Sequence, residues 1–170
     1  MSTGFEFLTI YSEICLGTTA FFAIVATLRQ TLGESLTEYQ YLITRFFIDT
    51  GLQLILVSII GLAIFSTDLD GGIAWHAMAY MIIVANGFYT PYYLTKRRKV
   101  DAPSNIIALL VSALIVLTWI NLVMAVFELS QISVQIAVML SMVTIFACMI
   151  AVFLIFIGSF MKIGEVEFSD

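Results

Sequence analysis

The sequence predicts an all-α fold: a polytopic membrane protein with five transmembrane helices, its N-terminus outside and its C-terminus cytoplasmic. Three observations carry this reading. The 170-residue chain is 61% hydrophobic and 11% charged, with a mean hydropathy of +1.06. Soluble domains are roughly 45–50% apolar and about 25% charged. The apolar residues also come in runs of about 20, the length that crosses a hydrocarbon core of roughly 30 Å. Finally, with five runs taken as spans, every Lys and Arg falls on one side, which the positive-inside rule assigns to the cytoplasm.

The first span is 7–28. Its start, MSTGFEF, carries Glu6 and no base, so it lacks the basic region of a cleaved signal peptide. One helical face collects Thr9, Glu13, Gly17, Ala20 and Thr27, a small-residue strip with one acid about two turns inside the outer boundary. Intramembrane acids are costly and therefore functional candidates. Glu13 reads equally as a cation or proton site and as an acid packed against hydroxyls.

The second span is 46–65. Ser35-Leu36-Thr37-Glu38 matches a capping box and places the helix start about two turns before the membrane. Arg45, Asp49 and Gln53 follow at i, i+4 and i+8 and share one stripe. Arg45 at a cytoplasmic edge reads first as an interfacial anchor paired with Asp49, and second as a gate at an inner mouth. An ionised Asp49 facing lipid costs up to about 2.5 kcal/mol or more near the bilayer centre, so it is expected to face protein or water.

The third span is 74–94, entered through TDLDGG, a tight outer turn. His76, Ala79, Asn86, Thr90 and Tyr93 are placed on one face, and Pro91 is expected to kink the inner end. His76 stands alone beside Trp75. It reads as interfacial, with a pH sensor as the alternative. The run Lys96, Arg97, Arg98 and Lys99 follows, fixing topology and offering a surface to anionic lipid head groups. The fourth span is 105–127. DAPSN starts it, with Ser112 and Trp119 on one face and Asn121 turned away.

The fifth span, 132–160, has the clearest period. Ala137, Ser141, Thr144, Cys148, Ala151 and Gly158 form a seam of small residues at steps of four and three, with Ile155 filling one place. Such seams let helix backbones approach closely in lipid. This one serves either to close the bundle or to join protomers. Tyr39, Tyr41, Tyr89, Tyr92 and Tyr93 are expected at the inner interface, with Tyr11 and Trp75 at the outer one. The outer side keeps Glu6, Asp68, Asp70 and Glu128, an acidic face able to concentrate cations.

Catalytic signatures are missing. There is no G-x-S-x-G, H-E-x-x-H or nucleotide loop, and one histidine makes neither a bis-histidine haem site nor a zinc site. Cys15 and Cys148 form no CxxC pair. No enzyme, cofactor, metal or nucleic-acid partner is therefore expected. YSEICLGTTAFFAIVATLRQ, then Arg45 opening an apolar span, then Trp75 after a short turn, resembles an uncharacterised group of small multi-pass bacterial inner-membrane proteins. The resemblance implies that membrane and no activity. The expected function is an oligomeric cation channel or transport protein, with Glu13, Asp49, Gln53, Asn86, Ser112 and Thr144 along the path. The alternative is a non-catalytic accessory or scaffold subunit of a membrane complex.

Overall fold

The computed structural model describes residues 3–31, 37–67, 70–100 and 106–167. They form five helices: α1 (Thr3–Thr31), α2 (Glu38–Phe65), α3 (Gly71–Lys99), α4 (Ile106–Val126) and α5 (Val134–Glu167). Four of them contain a segment long and apolar enough to cross a membrane: Gly4–Leu28, Glu38–Phe65, Leu109–Val126 and Val134–Leu154. The helix over 74–94 is present, but it does not share that composition. His76, Asn86, Pro91, Tyr80, Tyr89, Tyr92 and Tyr93 dilute its apolar residues.

The ends of the helices follow from local chemistry. α2 is capped by Thr37, whose hydroxyl accepts from the Gln40 N–H, while the Gln40 side chain accepts from the Thr37 N–H. The capping box is thus Thr37 with Gln40, two residues later than the expected Ser35 with Glu38. Both registers match a box in sequence, and the structure shows the one closed by Gln40. Ser35 lies outside the described residues. Asp70 caps α3 by accepting from the Gly72 N–H. α3 runs unbroken through Pro91 and ends in four bases, where cations complement the helix dipole. Glu128 turns the chain between α4 and α5 at φ 57°. The DAPSN helix start and Asp68 lie outside the described residues.

The helices pack side by side with alternating direction. α1 rests mainly on α2, and α5 lies against α2, α3 and α4. Two apolar cores stack along the bundle. One, built on Leu8, Leu54, Met78, Leu122 and Met142, occupies the half that holds the α2–α3 turn. The other, built on Phe22, Phe47, Ile115 and Met149, fills the half toward the basic residues. There Phe22 stacks on Phe47 with centroids 3.9 Å apart, and Phe153 meets both.

Much of the outside is apolar. Ile10, Phe21, Ile24, Leu52, Leu56, Leu117 and Leu140 are exposed, Phe88 to 79%. Thr44, Thr50, Ser58, Asn86 and Ser141 are buried. A water-soluble monomer avoids large contiguous apolar patches. Lipid accepts such a surface, and the chain is an integral membrane protein whose environment is a bilayer.

Candidate functional site

The stripe on α2 meets α3. Arg45 Nε lies 3.3 Å from Asp49 Oδ2, and the Tyr89 hydroxyl donates to that same oxygen at 3.2 Å. Arg45 also sits over the Tyr92 ring, 5.9 Å from its centroid, and Lys96 lies 5.8 Å from the same centroid. Phe46 packs beside Tyr89 and Tyr93. The i, i+4 spacing aligns Arg45 with Asp49, and a second i, i+4 step on α3 aligns Tyr89 with Tyr93. Asp49 is therefore held by its own helix and by α3. Arg45 and Asp49 remain half-exposed, which limits the strength of this ion pair.

Behind this cluster is a cavity of about 30 Å³ bounded by α2, α3, α4 and α5. Thr50, Asn86, Thr90, Ser112, Tyr93 and Arg97 contribute to its wall. Its size suits a single water. The Asn86 amide donates to the Ile82 carbonyl at 3.0 Å, one turn back on its own helix. The structure thus brings Asn86 and Ser112 together, two of the six residues expected along a path. The Asp49 partner Tyr89 lines the same cavity.

The other path candidates lie elsewhere. Glu13 is exposed on the outward face of α1 and has no side-chain partner among the described residues. Gln53 and Thr144 are half-buried. The first apolar core lies between the cavity and the acidic end. At that end a bowl of about 450 Å³ is bordered by Gly4, Phe65, Gly71, Gly72, Trp75 and His76. His76 is exposed, and its Nδ1 donates to the Gly72 carbonyl at 2.9 Å. It does not share the inward face of Ala79 and Asn86. Asp70 is engaged as a cap, and Glu128 lies in the α4–α5 turn.

Small residues of the α5 seam close the bundle. Ala137, Ser141 and Cys148 are fully buried within the one chain, with Thr144 and Ala151 half-buried. Gly158 lies farther along α5, outside the residues whose surroundings are described. Among the described residues, no three His, Cys, Asp or Glu side chains converge as a metal site.

Two interhelical bonds escape the sequence reading. The Tyr11 hydroxyl donates to the Met142 carbonyl at 2.6 Å, joining α1 to α5. Tyr11 is thus buried within the bundle, where its phenol finds an acceptor. Trp75 is likewise buried, against Phe65. The Trp119 indole donates to the Ile83 carbonyl at 3.0 Å, joining α4 to α3. An aromatic with a polar tip inside an apolar run was the available signal.

This fold and this surface define a multi-pass helical membrane protein. Compared with known proteins, the chain matches no family model, no curated protein and no solved structure.

Proposed function

We propose that the chain is a non-catalytic assembly subunit of the membrane, which uses the outward strip of α1 to join other protein. The observation that carries this reading is the position of Glu13. It lies within the apolar segment Gly4–Leu28, on the face turned away from the bundle. Glu6, Ile10, Glu13, Gly17, Ala20, Ile24 and Thr27 are all exposed there, at alternating steps of four and three. A carboxylate on such a face is costly in lipid, so protein or water covers it. Gly17 supports the same reading. A Cβ built on it meets nothing within 4 Å, so no neighbour in this chain requires a glycine. Small residues serve helix association in membranes by admitting a second backbone.

The orientation and span count belong to this proposal. α3 runs antiparallel to α2 from Trp75 beside Phe65 to Tyr93 beside Phe46. It covers the same depth as its neighbour, which supports a fifth crossing. The one-sided bases support an N-out, C-in arrangement. The bacterial inner membrane is proposed on the sequence resemblance alone.

A second reading also rests on Glu13: a cation path between copies, with this carboxylate as the ligand. The buried polar groups favour a path between protomers over one through the chain. Thr44, Ser58 and Asn86 each bond back to their own helix.

The test is the assembly state after mild detergent extraction, for wild type, Gly17→Leu and Glu13→Gln. Assembly predicts that the wild type elutes with further copies or a stable partner, and that Gly17→Leu releases a folded protomer. A monomeric wild type would remove the proposal. Cation flux into liposomes that is lost in Glu13→Gln would select the second reading.

A further inference from the structure

A groove of about 220 Å³ runs between α3 and α4 on the outside of the bundle. Gly87, Pro91 and Val116 form its exposed rim. Trp119 forms a wall and is fixed there by its bond to the Ile83 carbonyl. Asn86 and Thr90 bring polar atoms to an otherwise apolar lining. The groove therefore opens sideways, toward lipid rather than toward an end of the bundle.

Five to seven residues beyond Pro91, the same helix carries Lys96, Arg97 and Arg98. At 1.5 Å per residue, that separates the groove from the bases by about 8–10 Å. Arg97 also lines the cavity that shares Asn86 and Thr90 with the groove. Arg45 lies over the Tyr92 ring together with Lys96, which adds one more cationic group near this end.

We propose that this groove is a binding site for one anionic phospholipid. Arg98, one i+7 step from Pro91 on the same helix face, and Arg97, on the wall of the adjoining cavity, hold its phosphate. The Thr90 hydroxyl, on the groove wall between Pro91 and the interior, donates to an ester carbonyl. One acyl chain lies in the groove against Val116 and Trp119. Charge selects this occupant: a protein partner would cover the groove without needing a phosphate beside Lys96–Arg98, and a zwitterionic lipid brings its own cation to them. Each Lys or Arg near a membrane surface strengthens binding to anionic lipid. The site lies on α3 and α4, away from the α1 strip, so it stands or falls independently of assembly.

The structure supplies its own probe. The sequence has two tryptophans, and only Trp119 borders the groove. Trp75→Phe leaves Trp119 as the sole indole, excited selectively at the red edge beyond tyrosine absorption. A Cβ at Gly87 comes no nearer than 3.8 Å to Trp119, so the position accepts a side chain, and Gly87→Leu is chosen to fill the groove. Delipidated protein in detergent is titrated with phosphatidylglycerol or phosphatidylcholine of matched chains brominated near their middle.

The expected result is Trp119 quenching at about tenfold lower phosphatidylglycerol than phosphatidylcholine. Lys96→Gln, Arg97→Gln and Arg98→Gln together abolish that preference, and Gly87→Leu reduces quenching by both lipids. Equal quenching by the two lipids in the parent protein would overturn the proposal, as would quenching unchanged by Gly87→Leu. Native mass spectrometry of the unmodified chain gives a second reading that needs no variant. One retained phosphatidylglycerol, with phosphatidylcholine lost under the same activation, supports the site. Equal loss of both rejects it.

Discussion

At the scale of the residue, hydrogen bonding inside this bundle is decided by what each polar tip can reach. Tyr11 reaches the Met142 carbonyl, while the neighbouring Ser141 hydroxyl is buried with no partner among the described residues. The two substitutions should therefore differ in sign. Tyr11→Phe removes a bond between helices, worth about 0.6–1.7 kcal/mol in membrane proteins. It should lower the thermal midpoint in detergent. Ser141→Ala removes a hydroxyl whose burial is uncompensated, and the remaining methyl matches Ala137 one turn away. It should be neutral or stabilising by about 1 kcal/mol. A destabilised Ser141→Ala would mean that its hydroxyl has a partner in the native membrane. Asp49 illustrates the same rule. Sequence spacing identified Arg45 as its partner, and Tyr89 supplies the second bond from 40 positions away.

At the scale of the element, α2 meets α1 at Gly51 and both α3 and α1 at Gly61, against neighbours that differ in stiffness. A Cβ at Gly51 would collide with the Thr19 hydroxyl, and a Cβ at Gly61 with the Met78 sulfur. Thr is β-branched and held at χ1, whereas Met is unbranched and readily moves aside. Gly51→Ala should therefore cost about 1–3 kcal/mol through overpacking. Gly61→Ala should cost less, although Leu8 Cδ1 stands 2.9 Å from the same point. Thr19→Ala should relieve part of the Gly51→Ala penalty. Unfolding midpoints of the two single variants and the Thr19→Ala/Gly51→Ala pair test the argument. Additive losses would show that the α1–α2 crossing is not set by this contact. Gly17 lies on α1 beside Thr19 but faces outward, which separates its proposed role from that of Gly51 on α2.

At the scale of the whole molecule, the proposed number of crossings turns on α3. It lies along α2 for its full length, but its polar and aromatic residues leave it less apolar than the four helices able to cross a membrane by composition. A helix covered on several sides by protein needs fewer apolar residues than one wrapped in lipid. Five crossings predict that single cysteines at Gly72 and Lys99, both exposed, react with an impermeant maleimide from opposite sides. Cys15 and Cys148 are buried and should stay silent. Labelling of both positions from one side would place α3 on the surface. Intact vesicles and inverted vesicles provide the two sides.

The sequence by itself determined the helical class, the membrane environment and the positions of the helices. These depend on composition and on runs of apolar residues, which are local properties of the chain. The stripe Arg45–Asp49 was equally legible, because i, i+4 neighbours meet in any helix. The capping box was legible only to within two residues, since two overlapping segments satisfy its pattern. The tertiary structure alone decided which faces meet. It turned Ala137, Ser141 and Cys148 inward and Glu13 outward, although both strips carry small residues at helical spacing. It also buried Tyr11 and joined Asn86 to Ser112 around one cavity. The physical reason is that a helix in lipid is apolar on every side. The hydrophobic pattern that points a soluble helix toward its core is then missing, and only the neighbouring helices determine which side is the inside.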